Sequence, residues 1–176
     1  AEDCSTGPQQ QAEIHESDMF QELEDRFVSE EMDAEHLQAL EKRAVQRLIE
    51  LVDFLNIYAD SGLDVRFRQQ ARQMIEDAFL SEFDLQTFYM GLKIEEDTSR
   101  HILIDPMSEA VHIEVYSVSI ASAFHLSLDS SYEGVLSYNF HNQGKTSDGQ
   151  IKIVTQKTTK QFGANSLAVW ELFFKL

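Results

Sequence analysis

Cysteine is almost missing from this chain. Cys4 is the single one in 176 residues, so no intrachain disulfide can form and no cysteine-based zinc cluster is available. A lone thiol is tolerated in reducing compartments too, so it does not fix where the protein works. Positive charge is also scarce. Lys and Arg number 14 against 31 Asp and Glu, a formal net charge of -17. A field of that sign repels nucleic-acid phosphate and anionic lipid, which sets DNA and RNA binding aside. No apolar run reaches the roughly 18 residues that a membrane-spanning helix requires. The sequence holds no EF-hand loop, P-loop or G-x-S-x-G element, so three of the more legible chemistries have no motif to rest on.

What is present begins with the distribution of that charge. Residues 1–60 carry sixteen acids and four bases, and residues 61–176 fifteen acids and ten bases. A solvated acidic surface that aids solubility is the plain reading, and a docking face for a basic partner is the second. The chain opens Ala-Glu-Asp, the pattern of a mature terminus after signal-peptide removal or of a trimmed start. The first of these implies an extracytoplasmic protein, periplasmic or secreted. Cys4 is preceded by three residues, which argues against a lipid-modified cysteine.

The rest of the chain is organised around Leu37–Tyr58. Leu37, Leu40, Ala44, Leu48, Leu51, Leu55 and Tyr58 recur at spacings of three and four, which places them on one face of an α-helix. Val45, Ile49 and Val52 broaden that face beyond a coiled-coil seam. So wide an apolar stripe must be buried against something large. Residues 1–17 have no apolar face and read as a flexible arm. Residues 18–36 read as an acidic accessory helix. Met19, Phe20, Leu23 and Phe27 form its apolar side, and Ser17 or Asp18 caps it. The run SEEMDAEH that ends it is compatible with either a break or a continuation. Residues 37–176 form the remaining domain.

Asp60-Ser61-Gly62 stops the central helix, and Asp64 caps the next. Phe67, Ala71, Met74, Ile75, Ala78 and Phe79 mark the inner side of that helix. Arg66, Arg68 and Arg72 lie on its other faces, where ion pairs with the acidic helix are expected and an anion site is the lesser alternative. Residues 81–110 are the least legible. They offer Phe83, Leu85, Phe88, Tyr89 and Met90 as packing residues, then short strands near Lys93–Glu95 and His101–Ile104. From Val111 the pattern turns to period two. Apolar residues fall on odd positions through Val115 and on even positions from Tyr116 through Leu128. Such a phase change requires an inserted residue, so a β-bulge is expected near Val115–Ser117. A strand with Tyr132, Gly134, Leu136, Tyr138 and Phe140 on one face follows. A loop over Asn142–Gln150 leads to a strand Ile151–Phe162, whose Thr- and Lys-rich tail suits a solvated or an edge strand. The last strand, Leu167–Leu176, is apolar enough to predict a central, buried position. The class is α+β: N-terminal helices packed against a curved, mostly antiparallel sheet.

The last three strands, SYEGVLSYNF, QIKIVTQKTTKQF and SLAVWELFFKL, carry a family resemblance. A Gly-containing strand, a polar strand and a Trp-bearing terminal strand closing over an N-terminal helix resemble the NTF2-like (cystatin-like α+β cone) superfamily across about residues 37–176. The chain also resembles exported Bacteroidetes-type proteins of unknown function. The superfamily resemblance implies a cone with a pocket between helix and sheet. Some members are isomerases, dehydratases or hydrolases, and others only bind, dimerise or serve larger systems, so the fold does not choose the function. The extra acidic helix and the missing acid/base pair in 81–110 depart from the small catalytic members, and no catalytic residue is carried over.

Candidates for acid/base work in the sheet half are His112, Glu114, Tyr116, His125, Asp129 and His141. His112 and Glu114 lie two apart on one strand and so share a face, read as the solvent side. His125 shares its face with the small Ala121, Ala123 and Ser127, and reads as structural. Tyr116 and Tyr138 are expected to place their rings in the core. Asp33 with His36, and the cluster Glu13, His15, Glu16 and Asp18, read as surface residues rather than metal ligands, because a di-iron bundle needs paired Glu-x-x-His units. Cys4 has no evident His partner. No cofactor and no metal are implied. The expectation is a non-catalytic exported module that binds a small apolar ligand or a protein partner, a homodimer included. The alternative is a metal-independent hydrolase or isomerase with a His/carboxylate pair in the cone pocket.

Overall fold

The computed structural model describes residues 32–92, 95–97, 102–104, 112–142 and 144–176. The expected arm 1–17, most of the accessory helix 18–36 and the cluster Glu13, His15, Glu16 and Asp18 lie outside the described residues, as does Cys4. Among the described residues three helices come first: α1 (Ala34–Ala59), α2 (Val65–Asp77) and α3 (Glu82–Gly91). A small hairpin of β1 (Glu95–Asp97) and β2 (Ile102–Ile104) follows. Then β3 (Ile113–Leu126), β4 (Tyr132–Asn142), β5 (Lys145–Phe162) and β6 (Asn165–Lys175) form an antiparallel sheet in chain order. The fold is α+β, three helices against an open four-stranded sheet.

Helix α1 is the axis of the molecule. Asp33 caps it by accepting the His36 N–H at 2.9 Å. Ala34 to His36 belong to this central helix rather than to a separate acidic one. Its buried residues are Leu40, Ala44, Leu48, Leu51, Val52, Leu55 and Tyr58, the stripe that the spacing predicts with Leu37 half-exposed at its start. Glu41 and Asn56 tie α1 to the free edge of β3. Phe124 N–H donates to Glu41 Oε1 at 3.1 Å, and Asn56 pairs with the backbone of Ile113. The helix therefore runs opposite to the strand. Fifteen helical steps cover about 22 Å, whereas the eleven strand steps from Ile113 to Phe124 would cover about 36 Å if straight. The excess is absorbed by the sideways reach of the two side chains and by bending. Register shifts in β3 fall between Val115 and Ser117, Ile120 and Ser122, and Ser122 and His125. The first is the expected bulge. The other two continue the curl.

Several elements differ from expectation. In α2 the buried residues are Arg68, Ala71 and Ile75, while Phe67 and Met74 are exposed. The helix is turned so that Arg68 Nε donates to the Tyr58 carbonyl at 3.0 Å, where it caps the C-terminus of α1. In the illegible stretch, Ser81 accepts the Asp84 N–H at 3.2 Å and starts α3. That helix buries Leu85, Phe88 and Tyr89 and leaves Phe83 and Met90 in solvent.

The expected loop Asn142–Gln150 is mostly strand. Asn142 pairs with Lys145 across a two-residue turn in which Gly144 has φ 83°. Gly149 is not a turn residue. It lies opposite Tyr138, where a Cβ would come within 2.4 Å of the tyrosine oxygen. Strand β5 is interior in the strand order, pairing with β4 over Lys145–Val154 and with β6 over Lys152–Phe162, and its tail is mostly exposed, as its Thr and Lys content suggests. Its polar tail lies beyond the end of β4. Strand β6 is the edge strand, against the expectation of a central one. Its apolar character answers to the cover it receives. Phe174 N–H donates to the Ala78 carbonyl at 2.8 Å and Leu80 N–H to the Phe174 carbonyl at 3.1 Å. Leu176 N–H donates to Asp84 Oδ1 at 3.0 Å. The link between α2 and α3 thus closes the C-terminal end of this edge at Phe174.

Candidate functional site

The space between α1 and the sheet is where the resemblance would place a pocket. Alternation along β4 aims Tyr132, Gly134, Leu136, Tyr138 and Phe140 at α1, and all five are buried. Ile151 and Ile153 of β5 and Leu172 and Phe174 of β6 join them. The rings interlock. Tyr138 stacks on Phe140 with centroids 4.5 Å apart and meets the edge of Phe88 at 6.1 Å. Phe79 lies 5.4 Å from Phe88 and 5.5 Å from Phe174. Tyr132 meets Trp170 edge-on at 5.8 Å. These side chains occupy the interior, and the hollows described below all open on the outside of the molecule.

Burial favours the neutral form of Tyr58, Tyr89 and Tyr138. Burial drives the Tyr58 hydroxyl up to about 12, against the pull of Arg72, to which it is hydrogen-bonded. Burial likewise raises Tyr89 and Tyr138. Thr155, fully buried, accepts from Tyr132 N–H at 2.9 Å and donates to the Tyr132 carbonyl at 3.0 Å. Its hydroxyl completes the end of the β4 ladder and is occupied in doing so.

The other candidates are spread over the outer surface. His112 Nε2 and Glu114 Oε1 stand 3.8 Å apart with both side chains in solvent. Tyr116 is not in the core. The bulge at Val115–Ser117 turns it outward, where it is 73% exposed and stacks on the His141 ring at 4.7 Å, 6° from parallel. His125 Nε2 lies 3.7 Å from Glu133 Oε1 across the β3–β4 pair. Asp129 closes the β3–β4 turn, where the hydroxyls of Ser127 and then Ser131 bind its carboxylate and hold it down to about 2. Ser130 takes the positive φ of 66° that the turn needs. Asp33 and His36 make a helix cap, with His36 Nδ1 2.6 Å from Asp33 Oδ1. No group of three or more His, Cys, Asp or Glu side chains with metal-binding geometry occurs among the described residues. No described helix is long and apolar enough to cross a membrane.

Each arginine of α2 has a local partner, and the expected pairing with the acidic helix 18–36 falls mostly outside the described residues. Arg66 pairs with Asp64 at 3.3 Å, Arg72 with Glu76 at 2.9 Å, and Arg68 caps α1. The structural residues that sequence reasoning missed are Glu41, Asn56 and Arg68. The only trace of them was a polar residue interrupting or flanking an apolar helical stripe.

Three outer hollows are lined by described residues. One of about 360 Å³ lies along α1 between Met32 and Glu50. A second of about 420 Å³ lies at the end of the sheet beside Asp129, Lys157 and Trp170. There Lys157 Nζ sits 5.1 Å from the centre of the Trp170 ring. A third of about 370 Å³ lies between the end of α2 and the start of α3. All three open to solvent, and their walls carry the ion pairs Arg47 with Glu50 and Arg72 with Glu76. Comparison with family models, curated proteins and solved structures found no match to this chain.

Proposed function

We propose that this chain is a non-catalytic module of NTF2-like type that works by binding a protein partner, with a second copy of itself the first candidate. One observation carries the reading. The volume between α1 and the sheet, which a small ligand or substrate would need, is taken by Tyr138, Phe140, Phe88 and Phe174. Pockets for small molecules are concave and enclose most of the ligand, and the described hollows are open. The His/carboxylate pairs that an enzyme would use, His112 with Glu114 and His125 with Glu133, stand on solvent-facing surface. His112, Glu114 and His125 are each more than half exposed, so water reaches both pairs and screens them. The long helix cradled by a curled antiparallel sheet supports the NTF2-like assignment.

Sedimentation equilibrium over a wide concentration range, together with titration of an apolar dye such as anilinonaphthalene sulfonate, tests the proposal. The expected result is a concentration-dependent dimer and no saturable dye site. A monomer at every concentration that binds the dye one-to-one and melts at a higher temperature with it would overturn the reading in favour of a small-ligand carrier.

A further inference from the structure

Strand β5 outruns β4. Its pairing with β4 ends at Val154, opposite Glu133, whereas its pairing with β6 runs on to Phe162. At the end of β4 the Thr155 hydroxyl, rather than the β5 backbone, holds both the N–H and the carbonyl of Tyr132. From Gln156 to Phe162 the side of β5 away from β6 has no strand beside it among the described residues. Six of these seven residues are exposed. Such an edge offers a row of backbone donors and acceptors to a further strand. Lysines often guard an edge, but the two here are drawn the other way. Lys160 pairs with Glu171 of β6 at 3.4 Å, and Thr158 donates to the same carboxylate at 2.9 Å. Lys157 lies over the Trp170 ring of β6 at 5.1 Å.

The edge fits a second copy of itself. In antiparallel register about Thr159, Thr159 meets Thr159 of the other copy, Thr158 meets Lys160, Lys157 meets Gln161 and Gln156 meets Phe162. No like charges stand opposite each other. The run holds two lysines and no acid, so joining through it sets no carboxylates face to face on a chain of net charge -17. The two ends of the run also match. Phe162 is 42% exposed at one end. At the other end a hollow of about 420 Å³ is walled by Ser130, Ser131, Glu133, Val154 and Gln156. Val154, Gln156 and Phe162 have the same parity and so share one face of the strand. The register therefore brings the Phe162 ring of the second copy beside Gln156, at the mouth of that hollow. We propose that two copies join here, β5 against β5 about a two-fold axis at Thr159, as one continuous eight-stranded sheet. Seven residues facing seven make about six to eight backbone hydrogen bonds, and the two-fold axis closes the contact on itself. The inference rests on the reading that the chain binds a second copy, and it assigns the surface.

The test is sedimentation equilibrium of the full chain and its variants. Thr159→Lys should weaken the dimer several-fold, because it sets two lysines face to face on the axis, and Thr159→Glu should do the same. An equimolar mixture of the two variants should recover a dimer as tight as the parent's, which a folding defect would not allow. Phe162→Ser should also weaken it several-fold. Under mild oxidation, Cys4→Ser with Thr159→Cys should give a disulfide-linked dimer and Cys4→Ser alone none. A parent dimer indifferent to these changes, or a mixture that fails to recover it, overturns the edge pairing and leaves the second-copy reading standing. A parent that stays monomeric at every concentration overturns both.

Discussion

The side-chain amide of Asn56 stands in for a missing strand beside Ile113. Ile113 N–H donates to Asn56 Oδ1 at 2.8 Å, and Asn56 Nδ2 donates to the Ile113 carbonyl at 2.8 Å. The outer edge of β3 is thus closed at its first residue by the helix it wraps. Near the other end Glu41 only accepts, taking the Phe124 N–H at 3.1 Å. The two contacts set the direction and the span of strand against helix.

Replacing Asn56 by Leu removes both partners of Ile113 at once and leaves two backbone groups unpaired at a half-buried site. The expected loss is about 2–3 kcal/mol, read as a lower urea midpoint with unchanged slope. Amide exchange at Ile113 should accelerate more than exchange at Leu136 in the sheet centre. A midpoint within error of the parent would remove the clamp from the account.

The filled interior makes a contrasting pair. Leu48 is fully buried under the sheet, whereas Phe83 is 74% exposed on α3. Leu48→Ala should cost about 3–5 kcal/mol, because the rings around it cannot collapse into the space. Phe83→Ala should stay within about 0.5 kcal/mol of the parent. Thermal unfolding of the two variants would check both, and equal effects would mean that the interior is not packed as described.

Gly149 and Gly91 test the same point from the backbone side. A Cβ on Gly149 would lie 2.4 Å from the Tyr138 oxygen and 2.7 Å from its Cζ, while a Cβ on Gly91 meets nothing within 4 Å. The Tyr138 ring is held between Phe140 and Phe88 and has little room to retreat. Gly149→Ala is expected to lose about 1–3 kcal/mol. Gly91→Ala, at the end of α3, should be neutral or stabilising by up to about 1 kcal/mol. Denaturant midpoints would separate them, and a neutral Gly149→Ala would show that the ring moves freely.

Tyr58 predicts alkaline behaviour. Its folded value is raised from 10.0 to about 12, chiefly by burial. The neutral hydroxyl is the form that folding favours. This contribution to stability is complete below the unfolded value near 10 and is lost as pH rises through about 12. Tyr58→Phe should therefore flatten the fall in stability over that window, with Tyr89, raised in the same direction, keeping part of the slope. Unfolding at stepped pH would measure it, and an unchanged slope in the variant would exclude Tyr58 as the group responsible.

Local pattern made α1 legible, because seven apolar residues at helical spacing have no alternative that buries them together. It also made the bulge at Val115–Ser117 legible, since a change of phase in a strand has one cheap cause. It misplaced β6, because an apolar strand can be buried by a neighbour on each side or, as here, by helices and the Ala78–Leu80 link. It misread Asp148-Gly149 as a turn, because a glycine that yields to a ring across the sheet looks the same in sequence as one that bends the chain. Tyr116 was assigned to the core for a related reason. Its position inside the bulge, not its parity, decides which face it takes.

The amino-acid sequence by itself determined the class of fold, the central helix, the antiparallel strands and the acidic balance. These follow from periodicity, turn chemistry and a count of charges, which act over a few residues or over the whole chain. Only the tertiary structure decided that the candidate histidines and carboxylates sit in separate pairs on the surface, that Arg68 turns inward to cap α1, and that aromatic rings pack between helix and sheet. Those outcomes depend on which side chains meet across long stretches of chain, and packing in three dimensions settles them where local spacing has no say.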